Sequence, residues 1–192
     1  LDAASGALVW NTFLGGSGSD HGRGVAVDGS GKVYVAGEST AAWGSPVRAY
    51  TADYDAFVAR LDPASGAALW NTFLGGPGLD EGLGIAVDGS GNVYLAGASD
   101  APWGSPVQKY SALTDAFAAR LDASGAVAWT TFLGGAHQDF AKSIALDGSG
   151  NIYLAGWSSG TWGTPVRAHP GGGEGAFAAK LGAAGGARDG KH

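Results

Sequence analysis

The chain has 192 residues, Cys 0 and a formal net charge of -6 at pH 7. The lack of cysteine excludes disulfides, thiolate zinc sites and thiol catalysis. The acidic balance, with no basic cluster, argues against a phosphate-binding surface and so against nucleic acid as a partner. Gly 36 and charged residues at 15% point to many turns and little exposed helix, and no window carries apolar residues at i, i+3, i+4, i+7 over any length. No apolar run approaches a membrane span. The chain starts at Leu1 and has Met 0, so it is expected to be a processed or excerpted piece.

Leu1, Leu61, Leu121 and Leu181 open the same phrase, a period of 60 residues. Such a period is settled before any other feature. The third copy loses one residue near Asp122 and regains it in 171–173. Each copy begins with a Gly/Ser/Ala turn and a predicted strand d: ALVWNTFLGG ending at Gly16, AALWNTFLGG at Gly76, AVAWTTFLGG at Gly135. A Gly-rich connection follows, with one acid held in place: Asp20, Asp80, Asp139. Next comes GVAVDGSGKVYVAGE from Gly24, then GIAVDGSGNVYLAGA from Gly84 and SIALDGSGNIYLAGW from Ser143. Two runs rich in Val, Ile and Tyr suit a pleated strand, and the Asp-Gly-Ser-Gly between them suits a turn, so each is a predicted hairpin of strands a and b. A longer connection contains AWGSPVRAY, PWGSPVQKY or TWGTPVRAH. Strand c closes the copy: DAFVARL from Asp55, DAFAARL from Asp115, GAFAAKL from Gly175.

The strands are apolar on both alternations, as in Val25, Ala26 and Val27. A sheet with one wet face would alternate; here both faces are covered, in a repeat protein by the neighbouring repeats. The chain is therefore expected to be all-β: a β-propeller of three four-stranded antiparallel blades, strand order d-a-b-c, in repeats 1–60, 61–120 and 121–181, with a Gly/Ala-rich tail over 182–192. Strand a carries Gly24 and Gly84, and strand b Gly37, Gly97 and Gly156, where close backbone approach is expected. Gly97→Val is expected to destabilise more than Gly125→Val in the c-to-d turn.

The first d has no a-b-c set before it, and the last c has no d after it. The tail lacks the Trp and Phe of a fourth d strand. Propellers have roughly four to eight blades, commonly closed by one split blade, so three are too few. The piece is expected to belong to a larger ring or assembly. Either two chains join head to tail into six blades, each lending its d strand, or the partners form a filament or are further repeats of a longer chain.

The phrases GVAVDGSGKVYVAGE, DAFVARLD and ALVWNTFLGGSGSD resemble the beta-propeller repeat called SBBP, and more loosely NHL-type blades. The resemblance runs to about Leu181. It implies a propeller with strand a innermost, in bacterial proteins often found outside the cell or on its surface, and it brings no catalytic motif. Secretion or cell-surface location is the expectation.

Asp20, Asp80 and Asp139 are the candidate ligand or cation residues, placed to ring one mouth of a central channel. Calcium wants about six to eight oxygens, so carbonyls would have to join them. The simpler reading is that each Asp bonds backbone amides of a tight turn. Asp28, Asp88 and Asp147 open the DGSG turns and are read as turn formers, since a calcium loop needs more carboxylates and a closing Glu. Asp55 and Asp115 start strand c, where Gly175 stands in the third copy; their expected role is a structural hydrogen bond. Trp43, Trp103 and Trp162 recur in the b-to-c loop and are the loop aromatic candidates for stacking on a sugar ring. The plainer reading tucks them over the blade edge. Trp10, Trp70 and Trp129 are read as packing, and Trp157 belongs to the third copy alone. His21, His137, His169 and His192 occupy unlike repeat positions, and no nucleophile elbow or phosphate loop occurs.

The expected function is a non-enzymatic extracellular structural or adhesion module acting through protein–protein assembly. The alternative is a propeller that binds a glycan or a divalent cation through inter-blade loops. No cofactor is expected, apart from calcium in that second reading.

Overall fold

A computed structural model describes residues 4–182; of the tail, everything beyond Gly182 lies outside the described residues. The strands are β1 (Asp20–Val27), β2 (Val33–Ser39), β3 (Asp55–Leu61), β4 (Ala68–Leu74), β5 (Asp80–Val87), β6 (Val93–Ser99), β7 (Asp115–Leu121), β8 (Val127–Leu133), β9 (Asp139–Leu146), β10 (Ile152–Ser158) and β11 (Gly175–Leu181). They form three antiparallel sheets, ordered β1-β2-β3-β4, β5-β6-β7-β8 and β9-β10-β11. No described helix is long and apolar enough to cross a membrane.

The chain is all-β and built of propeller blades. The one departure from the expected twelve strands is at the split. Each d strand pairs with strand c of the preceding repeat: β4 lies on β3 in register Phe57↔Phe73, and β8 on β7 in register Phe117↔Phe132. A finished blade is therefore a-b-c-d. The first d, residues 7–14, has no strand c before it and joins no sheet among the described residues, and the third sheet has three strands.

Hairpins set the register within each blade. Asp28 Oδ1 accepts from the amides of Ser30 (2.9 Å) and Lys32 (3.0 Å), and Gly31 adopts φ +83°. Asp is thus the local hydrogen-bonding residue that the turn requires, and Gly the residue that tolerates a positive φ. Asp88 and Asp147 repeat the arrangement, with Asn92 and Asn151 Nδ2 donating to the second carboxylate oxygen at 2.7 Å. These donors, Asn151 foremost, draw the Asp147 carboxyl down to about 2.

The sheets meet through their inner strands, β1 against β5 and β5 against β9. Gly24 sits against Ile85, and Gly84 against the backbone of Lys142 and Ser143. One core lies between the first and second blades, joining Tyr34, Val58 and Leu74 to Leu95 and Phe117. Another joins Tyr94, Ala118 and Leu133 of the second to Ile144 and Leu154 of the third. Each fully buried Phe or Leu contributes about 1.5–3 kcal/mol, so these cores hold the blades in order.

The long b-to-c loop covers the outer edge of strand d. Val47 N donates to Asn71 O (2.8 Å), and Phe73 N donates to Arg48 O (3.1 Å). Val107 and Gln108 treat β8 alike. Strand d is thus clasped between strand c and its own loop, which removes an exposed edge.

Candidate functional site

Asp20, Asp80 and Asp139 are the first residues of β1, β5 and β9. Each carboxylate accepts the amide of the glycine four residues earlier: Gly16 at 3.0 Å, Gly76 at 2.8 Å, Gly135 at 3.1 Å. Asp20 also receives the Ser39 hydroxyl. Asp80 and Asp139 are wholly buried, and Asp20 is half-buried.

The structure adds a neighbour that sequence reasoning assigned only a local role. A Cβ on Gly75 would lie 2.5 Å from Asp55 Oδ1 and 2.6 Å from Asp80 Oδ2. The glycine therefore separates two buried carboxyls, one from strand c and one from the next blade's strand a. Gly134 stands in the same way between Asp115 and Asp139. Asp55 Oδ2 is held by Thr51 N (2.7 Å) and Asp115 Oδ2 by Ser111 N (2.6 Å). The Oδ1 atoms of all four acids are buried without a protein hydrogen-bond partner. In the sequence Asp55 and Asp115, Asp80 and Asp139, and Gly75 and Gly134 recur at matching repeat positions, but nothing local shows that they meet.

Burial pushes all four carboxyls up, Asp80 to about 6 against the opposing Gly76 amide. The Asp55 carboxylate adds to the rise at Asp80. A folded value above the ordinary 3.8 means that the folded chain holds more protons than the unfolded chain between about pH 4 and 6. Stability from this group is thus present below pH 4 and lost as pH rises through about 6. Asp80→Asn keeps an acceptor for Gly76 and removes the charge facing Asp55. It is expected to raise stability at pH 7.5 by about 1–3 kcal/mol and to flatten the loss between pH 4 and 6. Thermal melts across that range check this; a variant that melts lower at pH 7.5 with the slope intact sinks it.

Trp43, Trp103 and Trp162 lie in the blade interiors. Trp103 is edge-on to Phe117 (5.4 Å) and Phe132 (5.8 Å), and its Nε1 donates to Ser99 Oγ (3.2 Å). Trp43 meets Phe57 (5.2 Å) and Phe73 (5.8 Å) in the same way. Trp162 meets Phe177 at 5.3 Å and has no strand-d phenylalanine. Trp157 stacks on Phe140 at 4.4 Å. The three indoles therefore pack against phenylalanine rings in perpendicular, edge-to-face pairs. Trp10, Trp70 and Trp129 pack against the blade cores, Trp70 lying over Gly125.

Among the described residues no group of three or more His, Asp or Glu is placed to hold a metal ion. Glu38, buried on β2, takes Arg23 Nη2 at 2.6 Å and His21 Nδ1 at 3.2 Å, an arrangement that blades two and three lack because Ala98 and Trp157 replace the acid. A cleft of about 570 Å³ opens in blade three between β11 and loop 160–170. In the other blades strand d runs between these two elements.

The chain matches no curated protein. The family model described as the SBBP beta-propeller repeat matches it three times, over residues 9–42, 70–102 and 128–161. Each match runs from strand d through the a-b hairpin into the Trp loop, so the chain belongs to the SBBP beta-propeller repeat family.

Proposed function

We propose that the chain is a non-enzymatic structural or adhesion module that acts through protein–protein assembly, in a secreted or cell-surface setting. One observation carries this reading: apolar surface that neighbouring blades cover inside the chain is uncovered at the first blade. Val25 and Val27 of β1 are 66% and 59% exposed, whereas their counterparts Ile85 and Val87 pack into the core between blades one and two. Phe13 is 94% exposed, whereas Phe73 and Phe132 are buried. Exposed apolar faces of this kind mark association sites. The non-enzymatic part rests on the unlike settings of the histidines: His21 beside Glu38, His169 on Ser158 O, His137 against Gly160. The location rests on the family alone.

The second reading, a propeller that binds a glycan or divalent cation, is favoured by the unsatisfied Oδ1 atoms of Asp55 and Asp80. Sedimentation at micromolar concentration is expected to show association, with no specific binding on a glycan array with or without calcium. Specific binding abolished by chelation, from a chain that sediments as a single 19.0 kDa species, would replace the first reading by the second.

A further inference from the structure

We propose that residues 7–14 of one chain enter the cleft of blade three of a second copy and complete that blade as its fourth strand. The proposal rests on the assembly reading above and names its partner and its joint.

The donor is a strand by sequence and has no sheet. Its residues repeat those of β4, with Trp10, Asn11, Thr12, Phe13 and Leu14 at the places of Trp70, Asn71, Thr72, Phe73 and Leu74. It already lies where the outer strand of a preceding blade would lie. Trp10 packs over Gly66 and donates Nε1 to Pro63 O at 2.9 Å, and Trp10 and Leu14 flank the core of blade one. Trp70 packs over Gly125 in the same manner inside the chain. Phe13 points away from this support and is exposed.

The acceptor lacks only the strand. β11 repeats β3 and β7 but has no neighbour on its outer side among the described residues. Loop 160–170 stands off from it, so Val166 is fully exposed where Val47 and Val107 are bonded to strand d. Trp162 lines the cleft at the position from which Trp43 and Trp103 meet Phe73 and Phe132. Arg167 takes the place of Arg48, which donates Nη1 to Phe73 O (2.8 Å) and Nη2 to Gly75 O (2.7 Å). The register of β4 on β3 carries over directly: Phe177 opposite Phe13, Ala178 opposite Thr12, Lys180 opposite Trp10.

The charges also fit. Inside the chain each joint places two carboxyls across a glycine, Asp55 with Asp80 and Asp115 with Asp139. At the open joint the strand-c acid is Gly175, and the His169 ring fills the space beside it, Nε2 lying 2.7 Å from the Cβ position. Pro170 replaces the Thr51 and Ser111 whose amides serve the internal acids. The incoming Gly15 brings Asp20 against its own Cβ position. The joint between copies therefore sets an imidazole facing Asp20, where the internal joints set a second acid. Two copies joined reciprocally hold six blades, within the usual range of roughly four to eight.

Cysteine pairs test the joint, because the chain has Cys 0. Chains carrying Thr12→Cys and chains carrying Ala178→Cys are mixed and oxidised. Both positions are exposed in the single chain, so folding is spared. A mixed disulfide is expected from this pair, and little from Thr12→Cys with Lys180→Cys, whose diagonal separation of about 7–8 Å exceeds disulfide reach. Phe13→Ala is expected to leave the circular dichroism of the dilute chain unchanged and to shift sedimentation to the single chain. Absence of the mixed disulfide, equal yields from both pairs, or undisturbed association of Phe13→Ala overturns the joint while the assembly reading stands. A single 19.0 kDa species for the unmodified chain at all concentrations overturns both.

Discussion

Replacing Gly97 by valine is expected to unfold the chain or to cost more than about 4 kcal/mol, the range reserved for backbone clashes and core disruption. Gly97 is on β6, opposite Gly82, where the β5–β6 register shifts. A Cβ there would overlap the Glu81 carbonyl oxygen and lie 2.6 Å from the Phe117 ring. Neither can retreat: Glu81 is held in the β5–β6 ladder, and Phe117 is fully buried against Trp103. The same overlap waits at Gly37 with His21 O and at Gly156 with Phe140 O, so the requirement belongs to the blade. A domain has about 5–15 kcal/mol of stability, and one such clash removes a large share of it. Urea melts check this, with Gly89→Val as reference, since nothing lies within 4 Å of Gly89. The reference is expected to stay within about 1 kcal/mol of the parent. Gly125, which the sequence suggests as the mild comparison, is not mild: its φ is +88° and Trp70 ring carbons begin at 2.9 Å from its Cβ position. Gly97 remains the more severe site because it meets backbone, and Gly125 the edge of one side chain. Equal midpoints for Gly97→Val and Gly89→Val would contradict the packing described.

Trp103→Ala is expected to cost about 3–5 kcal/mol, as for other buried aromatics cut to alanine. The indole is 6% exposed, wedged between Phe117 and Phe132, and its ring nitrogen is hydrogen-bonded. Trp162→Ala in the dilute chain is expected to cost less than about 2 kcal/mol. Trp162 meets Phe177 of strand c but no strand-d phenylalanine, and it is half-buried beside the open cleft. The two residues hold the same repeat position, so the difference isolates what strand d adds to a blade. Denaturant unfolding of the two variants side by side checks it. Equal losses would mean that the strand-d phenylalanine contributes nothing to the indole's packing.

The strands, the hairpin turns and the propeller class are legible from residues alone. Val33, Tyr34 and Val35 with Asp28-Gly29-Ser30-Gly31 specify a hairpin by local chemistry, because Asp bonds its own turn and Gly accepts the positive φ. The repeat of 60 supplied the rest of the architecture, since equal units that are apolar on both sides must stack. The missing fourth strand of the third blade was also readable as a count of phrases. The pairing of Asp55 with Asp80 was not, because it joins strand c of one blade to strand a of the next across Gly75. No local pattern encodes a contact between chain segments that meet only when blades stack.

What the sequence determined by itself is therefore what is local or periodic: strand positions, turn chemistry, blade order and the unmatched strand-d phrase over 7–14. What the tertiary structure alone decided is how equivalent residues come to differ. Phe73 and Phe13 stand in the same phrase, yet one is buried and the other is 94% exposed. Asp80 and Asp20 open the same strand, yet Asp80 faces Asp55 and is wholly buried, while Asp20 is half-buried with no strand-c acid beside it. Burial and carboxyl pairing depend on which blade stands alongside, and neighbours at the two ends of an open arc are a property of the stack, not of the repeat.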